Sequence, residues 1–430
     1  MVKIIGGGLA GCEAAWQLAN AGIQSCIYEM KPHKFTPAHH YSGLAELVCS
    51  NSLKASRHDS AAGLLKEEME TLGSLIVPCA KANAVEAGGA LAVDRERFSD
   101  MVTEKIHSHP LIEVIDEEVE TIPEGPVIIA TGPLTAGELA ENIRRMCGDY
   151  LSFFDAAAPI VTFESLDMDK VFFASRYDRG DADYINCPMN KEEYLAFYNA
   201  LITAESAPLK EFDKRDFKVY EGCMPVEVLA RRGEDTMRYG PLKPVGLTDK
   251  RTGKRPYAVV QLRKENAQGT MYNLVGFQTN LKFAEQKRVF SMITGLENAE
   301  FVRYGVMHRN SFIDSPKLLE PTYALKSNHD IFFAGQITGV EGYIESAASG
   351  IMAGINMARH LRNEEPLVLP AETMIGALTA YISGGCSGEF QPMGCNMGIL
   401  PDLPVRIKDK KAKYTAYADR AIEALNRTIK

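Results

Sequence analysis

The sequence predicts an α/β protein with a parallel-sheet domain assembled from both ends of the chain and a smaller α+β domain inserted between them. A short apolar strand at 2–5 runs directly into a glycine cluster, and buried-type apolar strands that meet a glycine recur at 127–132 and 331–336. In the middle of the chain, segments of strand character alternate with segments of helical periodicity. We place the first part of the sheet domain at residues 1–180, the inserted domain at 181–302, and the second part, with a C-terminal basic segment, at 303–430.

The N-terminal segment has the order strand, glycine-rich turn, helix, strand, acid. Gly6-Gly7-Gly8-Leu9-Ala10-Gly11 follows the first strand, a helix is predicted from 12 to about 21, and a second strand covers 25–29. In this pattern the glycines permit a tight turn, close approach of a pyrophosphate and close helix packing, and Glu29 is spaced to meet a ribose hydroxyl. The helix N-terminus offers N–H groups and positive partial charge to the phosphates. The unit therefore predicts dinucleotide binding.

The other two strands supply further cofactor candidates, namely Thr131, Gly132, Gly335, Gln336 and Gly342. A helix rich in small residues is predicted to follow, from 344 to about 361. Its composition indicates either simple close packing or an N-terminus placed near a flavin, and we favour the flavin because the helix dipole suits the anionic reduced ring. NAD and FAD share the glycine pattern, but the split layout favours tightly held FAD.

Composition excludes several classes of protein. The chain has 430 residues, 46% of them hydrophobic, and no apolar run reaches a bilayer-spanning length. Only Met-Val-Lys precedes the strand core and glycine cluster, so we expect no signal peptide and a cytoplasmic protein. Nine cysteines are scattered without a Cys-x-x-Cys pair, which argues against a disulfide framework and against a metal site. The net charge of −9 excludes a globally basic nucleic-acid binder, although a local basic patch remains compatible with it.

Several longer stretches resemble one family. They are Thr36-Pro37-Ala38-His39, Glu46-Leu47-Val48-Cys49-Ser50-Asn51-Ser52, Gly88-Gly89-Ala90-Leu91-Ala92-Val93-Asp94-Arg95, Asn186-Cys187-Pro188-Met189, Cys223-Met224-Pro225-Val226-Glu227, Pro244-Val245-Gly246-Leu247, Arg251-Thr252-Gly253, Tyr304-Gly305-Val306-Met307-His308-Arg309-Asn310 and Val340-Glu341-Gly342-Tyr343-Ile344-Glu345-Ser346. Together they are similar to the folate- and FAD-dependent tRNA (uracil-5-)-methyltransferase (TrmFO) family, from the first strand to about residue 400. The larger GidA/MnmG tRNA-modifying flavoproteins share several of these runs but carry an additional C-terminal helical domain.

The resemblance implies a fold, a reaction and its cofactors. The fold is a split FAD-binding Rossmann-like domain with an inserted smaller α+β domain. The reaction is methylation of C5 of the T-loop uridine of tRNA. Its carbon comes from 5,10-methylenetetrahydrofolate and its electrons from FAD reduced by NAD(P)H. The resemblance also implies tRNA as the partner, with no membrane and no obligatory protein partner expected.

This chemistry requires a reactive thiol, because uracil C5 becomes nucleophilic only after a thiolate adds at C6. Cys49 and Cys223 both stand in stretches that resemble the family, and we expect one to attack uracil while the other protects the intermediate or assists proton transfer. Which cysteine does which stays open. An ordinary cysteine has a pKa of about 8.5, so either thiol needs nearby positive charge at neutral pH.

The folate candidates come from two of the same stretches. His308 offers a planar imidazole that can stack on a pterin, and the resemblance points the same way, although a core or capping histidine is the alternative. Glu341 and Glu345 offer carboxylates that suit the amino and N–H donors of a pterin. Glu345 has a second interpretation, since a carboxylate there also complements a helix N-terminus.

RNA binding by an acidic chain requires a local basic patch. Seven Lys or Arg and one Asp lie between 243 and 264, and five Lys or Arg and one Asp lie between 406 and 413. Such patches suit phosphate contacts that position RNA, with Tyr257 and Tyr272 as possible stacking surfaces, although a solvated charged face explains either patch equally well. The RNA-contact candidates are Lys243, Lys250, Arg251, Lys254 and Arg255.

Three other functions stay open from the sequence. The same chemistry could act on a ribosomal RNA uridine, because basic patches do not identify the RNA. The chain could also be an FAD-dependent oxidoreductase of a small molecule, or a non-catalytic tRNA-binding partner in a larger complex. Oligomeric state and the choice between NADH and NADPH are likewise open.

Overall fold

The computed structural model describes residues 1–149, 151–178, 181–207, 224–385 and 390–429, with the backbone alone for 151–156, 178, 308, 309 and 385. Its strands are β1 (Val2–Ile5), β2 (Ser25–Glu29), β3 (Ser52–Ala55), β4 (Ala84–Val85), β5 (Ala90–Val93), β6 (Ile112–Asp116), β7 (Val127–Ile129), β8 (Leu151–Ala156), β9 (Ile160–Thr162), β10 (Phe172–Phe173), β11 (Tyr184–Met189), β12 (Ala258–Lys264), β13 (Met271–Leu274), β14 (Phe301–Arg303), β15 (Met307–Phe312), β16 (Ala324–Leu325) and β17 (Asn328–Phe333). Its helices are α1 (Leu9–Asn20), α2 (Ala61–Thr71), α3 (Ile76–Ala82), α4 (Arg95–His107), α5 (Gly137–Cys147), α6 (Lys191–Thr203), α7 (Val226–Ala230), α8 (Thr236–Tyr239), α9 (Phe283–Phe290), α10 (Ser315–Leu318), α11 (Tyr343–Leu361), α12 (Met374–Ala380) and α13 (Lys410–Thr428).

The first sheet has the strand order β16-β17-β7-β1-β2-β6. Five of its strands are parallel, and β16 pairs antiparallel at one edge. Strands β1 and β7 are short apolar runs buried almost throughout, as expected for a parallel sheet covered on both faces. The predicted strands at 2–5 and 25–29 are confirmed at their predicted bounds. The sheet joins the two ends of the chain, since β17 lies beside β7.

Helices α1 and α11 pack against each other unusually closely. A Cβ added to Gly350 would lie 2.2 Å from the carbonyl oxygen of Ala10, and one added to Gly354 would lie 2.7 Å from that of Ala14. The small residues of α11 therefore serve this helix–helix contact, which is the simpler of the two interpretations of its composition. The N-terminus of α11 reaches the cavity described below, so the second interpretation also keeps its geometric basis.

A second sheet, with the order β10-β11-β12-β13-β9-β14, is antiparallel and has its own apolar core with α6 and α9. Strands β9 and β10 belong to this sheet although they precede residue 181. The chain enters and leaves it through the antiparallel ribbon of β8 and β15. The division of the chain at 181 and 303 stays a prediction, and this ribbon favours an exit before β9.

Candidate active site

A cavity of about 390 Å3 lies where β1, β2, β7 and β17 end, and it is lined by the turns that follow these strands. Ligands of open parallel sheets bind at this edge, outside the carboxyl ends of the strands. Nine of the twelve predicted cofactor residues line the cavity: Gly6, Gly8, Leu9, Ala10, Glu29, Thr131, Gly132, Gly335 and Gln336. The structure thus brings together turns that lie more than 300 residues apart in the sequence.

The glycine-rich turn has two kinds of glycine. Gly6 has a φ of +104°, and a Cβ on Gly11 would lie 1.9 Å from the carbonyl oxygen of Gly6, so both are required by the turn itself. A Cβ on Gly8, in contrast, would meet no protein atom within 4 Å, and Gly8 lines the cavity. Gly8 is also the N-cap residue of α1, and no side chain there accepts a hydrogen bond from the first N–H groups of the helix. This arrangement leaves space and N–H groups for a pyrophosphate.

Glu29 is buried at the end of β2, and its carboxylate is held by the backbone. Oε2 accepts a hydrogen bond from Gly7 N at 2.8 Å, and Oε1 accepts one from Lys31 N at 3.0 Å. Gly7 does not line the cavity but is confined between Glu29 and Leu44, whose Cδ2 would lie 2.5 Å from an added Cβ. A carboxylate fixed in this position suits the ribose hydroxyl of a dinucleotide. The residues present therefore fit the dinucleotide portion of FAD.

The loop 47–51, called the Cys49 loop below, lies next to the cavity because residues adjacent to Cys49 line it. Glu46 and Val48 line the cavity, while Cys49 itself is half-buried. The hydroxyl of Tyr343, in the first turn of α11, accepts hydrogen bonds from Cys49 N at 2.6 Å and Ser50 N at 3.2 Å. Because Tyr343 also lines the cavity, one side chain joins the predicted flavin site to the predicted thiol.

Two arginines bind the carbonyl groups of the same loop. Arg95, the first residue of α4, donates to Leu47 O at 2.6 Å and to Cys49 O at 3.2 Å. Arg303, the last residue of β14, donates to Val48 O at 2.7 Å and to Cys49 O at 3.3 Å. The positive charge that a reactive thiol needs is therefore present near Cys49.

A third arginine holds the side chains that follow Cys49. Arg263, on β12, donates to Asn51 Oδ1 at 3.1 Å and to Ser50 Oγ at 2.9 Å. Asn51 is fully buried and its amide donates to Lys264 O at 2.9 Å. The second sheet thus supplies hydrogen bonds to both the backbone and the side chains of this loop.

Glu345 is almost fully buried in the first turn of α11 and is paired with a lysine. Its Oε1 accepts from Lys54 Nζ at 2.5 Å and from Cys395 N at 2.8 Å. Its Oε2 would lie 2.2 Å from a Cβ on Gly342, whose φ is +117°. Gly342 is therefore required by the packing of this carboxylate and does not line the cavity. Burial, and then the Glu345 carboxylate, raise the pKa of the Cys395 thiol well above its ordinary value.

Glu341 contacts a residue that lines the cavity, whereas the contacts of Glu345 lead elsewhere. It is buried, and its Oε2 accepts a hydrogen bond at 2.6 Å from Nε2 of Gln336, which lines the cavity. Glu345 has no such link, because its contacts run to Lys54 and the chain at Cys395. Of the other folate candidate, His308, the structure describes the backbone in β15 and not the ring. The folate roles of these three residues stay predictions.

The remaining predicted residues fall into two groups. Cys223 lies outside the described residues. The five RNA candidates are all exposed on the connection before β12: Lys243, Lys250, Arg251, Lys254 and Arg255. Arg251 is partly neutralised by Asp249, with its Nη2 2.8 Å from Oδ2. Their RNA contacts also stay predictions.

Among the residues that the structure describes, His, Cys, Asp and Glu form no group of three or more that could hold a metal ion. No helix among them is long and apolar enough to cross a membrane.

The residues that surround Cys49 were not among the sites predicted from the sequence. Arg95 ends a stretch that resembles the family, and Arg303 directly precedes another, so the signal was present but pointed to no partner. Tyr343 and Lys54 likewise gave no sign of their contacts. Lys54 has a left-handed backbone with a φ of 63°, which sequence patterns do not predict for lysine.

Comparison with known proteins agrees with this architecture. Residues 1–365 match the sequence profile of the family described as glucose inhibited division protein A (GIDA). The methylenetetrahydrofolate–tRNA-(uracil-5-)-methyltransferase TrmFO of Acetivibrio thermocellus is 60% identical over 430 residues, which cover 100% of this chain and 98% of the relative. The TrmFO proteins of Listeria innocua and Enterococcus faecalis are 58% identical over 99% and 100% of this chain and 98% of their own lengths.

Solved structures support the same fold. Two crystal forms of Aquifex aeolicus GidA superpose with TM-scores of 0.70 and 0.68 at 16% identity, and each match covers 99% of this chain. They extend beyond it, since the matches cover 73% and 76% of the GidA chains. The predicted α/β fold class is thereby confirmed. On the strength of relatives matched along their whole length, this chain belongs to the TrmFO family of methylenetetrahydrofolate–tRNA-(uracil-5-)-methyltransferases, which is related to GidA.

Proposed function

We propose that this chain methylates C5 of the T-loop uridine of tRNA, with 5,10-methylenetetrahydrofolate as carbon donor and FAD, reduced by NAD(P)H, as cofactor. The observation that carries the proposal is identity of 58–60% along essentially the whole length of relatives named for this reaction. The geometry supports it independently, because a dinucleotide cavity lies beside a cysteine surrounded by arginines.

FAD supplies the redox chemistry when bound, since a flavin takes hydride from a nicotinamide and passes the electrons on. The chain's own residues bind and orient it. The N-terminus of α1 and the space at Gly8 receive the pyrophosphate, and Glu29 receives a ribose hydroxyl. Thr131, Gly132, Gly335 and Gln336 line the remainder of the cavity.

Cys49 and Cys223 are the two thiols of the proposed reaction. A thiolate adds its electron pair to C6 of uracil, and the charge moves toward C5 and O4, so that C5 can attack the one-carbon unit. Loss of the C5 proton then breaks the bond between the one-carbon unit and its carrier nitrogen and leaves a methylene group on C5. Addition of a hydride equivalent, which the reduced cofactor would supply, turns this methylene into the methyl group as the C6–S bond breaks and the thiolate leaves. The held position of Cys49 beside the cavity supports a role in these steps, either as the attacking thiol or as the group that assists proton transfer.

The substrates occupy the surroundings of this centre. We assign His308, Glu341 and Glu345 to the folate, with Glu341 best supported because its partner Gln336 lines the cavity. The exposed lysines and arginines of the segment 243–255 suit contacts to tRNA phosphates. We place the protein in the cytoplasm, where its tRNA substrate is found, and we expect it to act without a membrane or an obligatory protein partner.

The test gives the purified protein NADPH, an unmodified tRNA transcript and methylenetetrahydrofolate labelled in its methylene carbon, without S-adenosylmethionine. We expect label in 5-methyluridine of the T loop, and no label in a matched transcript whose T-loop uridine is replaced by cytidine. Cys49→Ser protein that retains its flavin is the control for the thiol, and we expect it to transfer far less label than wild type.

Each other outcome contradicts a named part of the proposal. Label that enters ribosomal RNA but not tRNA replaces the substrate and keeps the chemistry. Oxidation of NADPH by the flavin with no label in either RNA contradicts methyl transfer and favours a small-molecule oxidoreductase. A protein that transfers label only after a second protein is added contradicts the expectation that it acts alone.

A further inference from the structure

The loop 47–51 is surrounded by an excess of buried positive charge. Arg95, Arg263 and Arg303 reach it from α4, β12 and β14, and Glu265 is the acidic side chain among them, ion-paired with Arg95. Arg263 and Glu265 are 8% and 4% exposed, so water screens these charges poorly. Taken together, the three arginines and one glutamate place a net charge of about +2 around the loop.

Two of these charges lie at Cys49 itself. The guanidinium groups of Arg95 and Arg303 donate to the carbonyl oxygen of Cys49 at 3.2 and 3.3 Å, within one residue of the thiol. These distances run to the carbonyl oxygen and not to Sγ, but a positive charge within one residue of a thiol favours its ionised form, and cysteine thiolates owe their stability to neighbours of this kind.

We infer that Arg303, together with Arg95, holds Cys49 in its thiolate form and so prepares it for attack or proton transfer. Both arginines are positioning residues, since they act through Cys49 and their hydrogen bonds go to the loop backbone. The inference rests on the proposed function for its purpose, but the ionisation of Cys49 is measurable without any substrate.

Among the described side chains, Arg263, Tyr343 and Glu265 also face the loop and do not cancel this effect. Burial lowers the pKa of Arg263 and of Arg303, yet a guanidinium starts so far above neutrality that both stay charged. Burial raises the pKa of Tyr343, whose hydroxyl is therefore neutral and adds no negative charge beside Cys49. Glu265 is engaged by Arg95.

A direct role of these arginines in holding RNA phosphates is less well supported. Their donors are directed at the loop, and Arg263 is nearly buried, whereas the exposed candidates of the segment 243–255 lie on the surface. The arrangement fits an internal electrostatic role better than an RNA-facing surface.

The experiment measures the ionisation of Cys49 in the flavin-containing full chain. Iodoacetamide alkylates the protein between pH 5 and 9, and mass spectrometry follows the peptide that contains Cys49 so that the other cysteines do not interfere. The variants are Arg303→Gln, which removes the charge, and Arg303→Lys, which keeps it. Arg238→Gln is the matched control, because Arg238 also donates to a backbone carbonyl, that of Tyr257, and its ion pair is with Asp235 rather than with any residue of the Cys49 loop.

We expect the wild-type alkylation midpoint to lie below the ordinary thiol value of about 8.5. In Arg303→Gln the midpoint should move upward, and the rate at pH 7 should fall by about threefold to tenfold. Arg303→Lys should restore most of the midpoint, and Arg238→Gln should leave it unchanged. If Arg303→Gln does not fold, Arg95→Gln provides the same measurement.

An unchanged midpoint in a folded Arg303→Gln protein overturns the inference. So does a rate that falls equally at every pH, because that result indicates a merely structural role in holding the loop. Failure of the proposed function looks different, since wild-type protein would then show the low midpoint but transfer no label to RNA.

Discussion

Cys49 and Cys395 are both half-buried and both bound to the first turn of α11, yet their electrostatic surroundings are opposite. Cys49 N donates to the Tyr343 hydroxyl and lies beside two guanidinium groups. Cys395 N donates to the Glu345 carboxylate, and burial together with that carboxylate raises its thiol pKa. The two thiols are therefore alike in exposure and in their link to α11, whereas the charged groups at their backbones differ in sign: guanidinium groups at Cys49 and a carboxylate at Cys395.

The largest expected effect separates the two cysteines by activity. Cys49→Ser should reduce methyl transfer by about a thousandfold or more, because an alcohol is a far weaker nucleophile and acid than a thiol at neutral pH. Cys395→Ser should stay within about threefold of wild type, since its neutral thiol takes no part in the proposed steps. Label incorporation into tRNA by proteins of equal flavin content measures both. Equal losses in the two variants would remove the contrast.

The second prediction separates thiol ionisation from flavin binding. Gly8→Val should fold, because a Cβ meets no protein atom within 4 Å, but its methyl groups enter the cavity and should weaken FAD binding by about 10- to 100-fold. The visible flavin spectrum of the purified protein reports the loss. The Cys49 alkylation midpoint should not move, since the arginines remain.

Gly89→Val is the matched control for this variant. A Cβ on Gly89 also meets no atom within 4 Å, but Gly89 is exposed away from the cavity, so the protein should stay yellow. A colourless Gly89→Val protein would mean that valine itself, and not its position, causes the loss.

A third prediction changes the charge beside Cys395. Glu345→Gln keeps the shape of the side chain and removes its charge, so the Cys395 thiol pKa should fall toward its ordinary value. Alkylation of the Cys395 peptide at pH 8 should become roughly threefold to tenfold faster. The Cys49 peptide provides the internal control, and a change confined to it would contradict the assignment of Glu345 to Cys395.

The smallest expected effect concerns Lys66, which is buried near Cys395 and donates to Ala55 O and Ala62 O at 2.7 and 3.1 Å. Burial lowers the pKa of Lys66 from 10.5 to about 8. Between these two values the unfolded chain holds a proton that the folded chain lacks, so stability should rise with pH through this window. Below about pH 8 Lys66 is charged in both the folded and the unfolded chain, so the folded state bears the full free-energy cost of burying this charge.

Lys66→Met should lose this pH dependence. The difference in unfolding free energy between wild type and variant should change by about 1–2 kcal/mol between pH 7.5 and 9.5. Denaturant titrations at the two pH values measure it, and a difference that does not vary with pH would assign Lys66 an ordinary pKa.

The nucleotide site was predictable because its signals are local. The strands at 2–5 and 25–29 and the turn between them lie within 30 residues, and each glycine has a backbone reason that sequence order reveals. The surroundings of Cys49 are different, because Arg263 and Arg303 lie more than 200 residues from the loop that they hold. No periodicity or spacing pairs a loop with an arginine at that distance. For Cys223 and the His308 ring, which lie outside the described residues and side chains, the predictions stand as they were made.

The Cys49 loop receives hydrogen bonds from residues of both sheets and the helices packed on them. Arg95 and Tyr343 hold it from helices packed around the first sheet, whereas Arg263 and Arg303 belong to strands of the second. The position of the loop therefore depends on contacts from both sheets. If the two sheets were separated, the guanidinium groups of Arg263 and Arg303 would leave the loop. On the inference above, the pKa of the Cys49 thiol would then return toward its ordinary value. In this architecture the packing of the two sheets and the inferred ionisation of Cys49 are therefore linked.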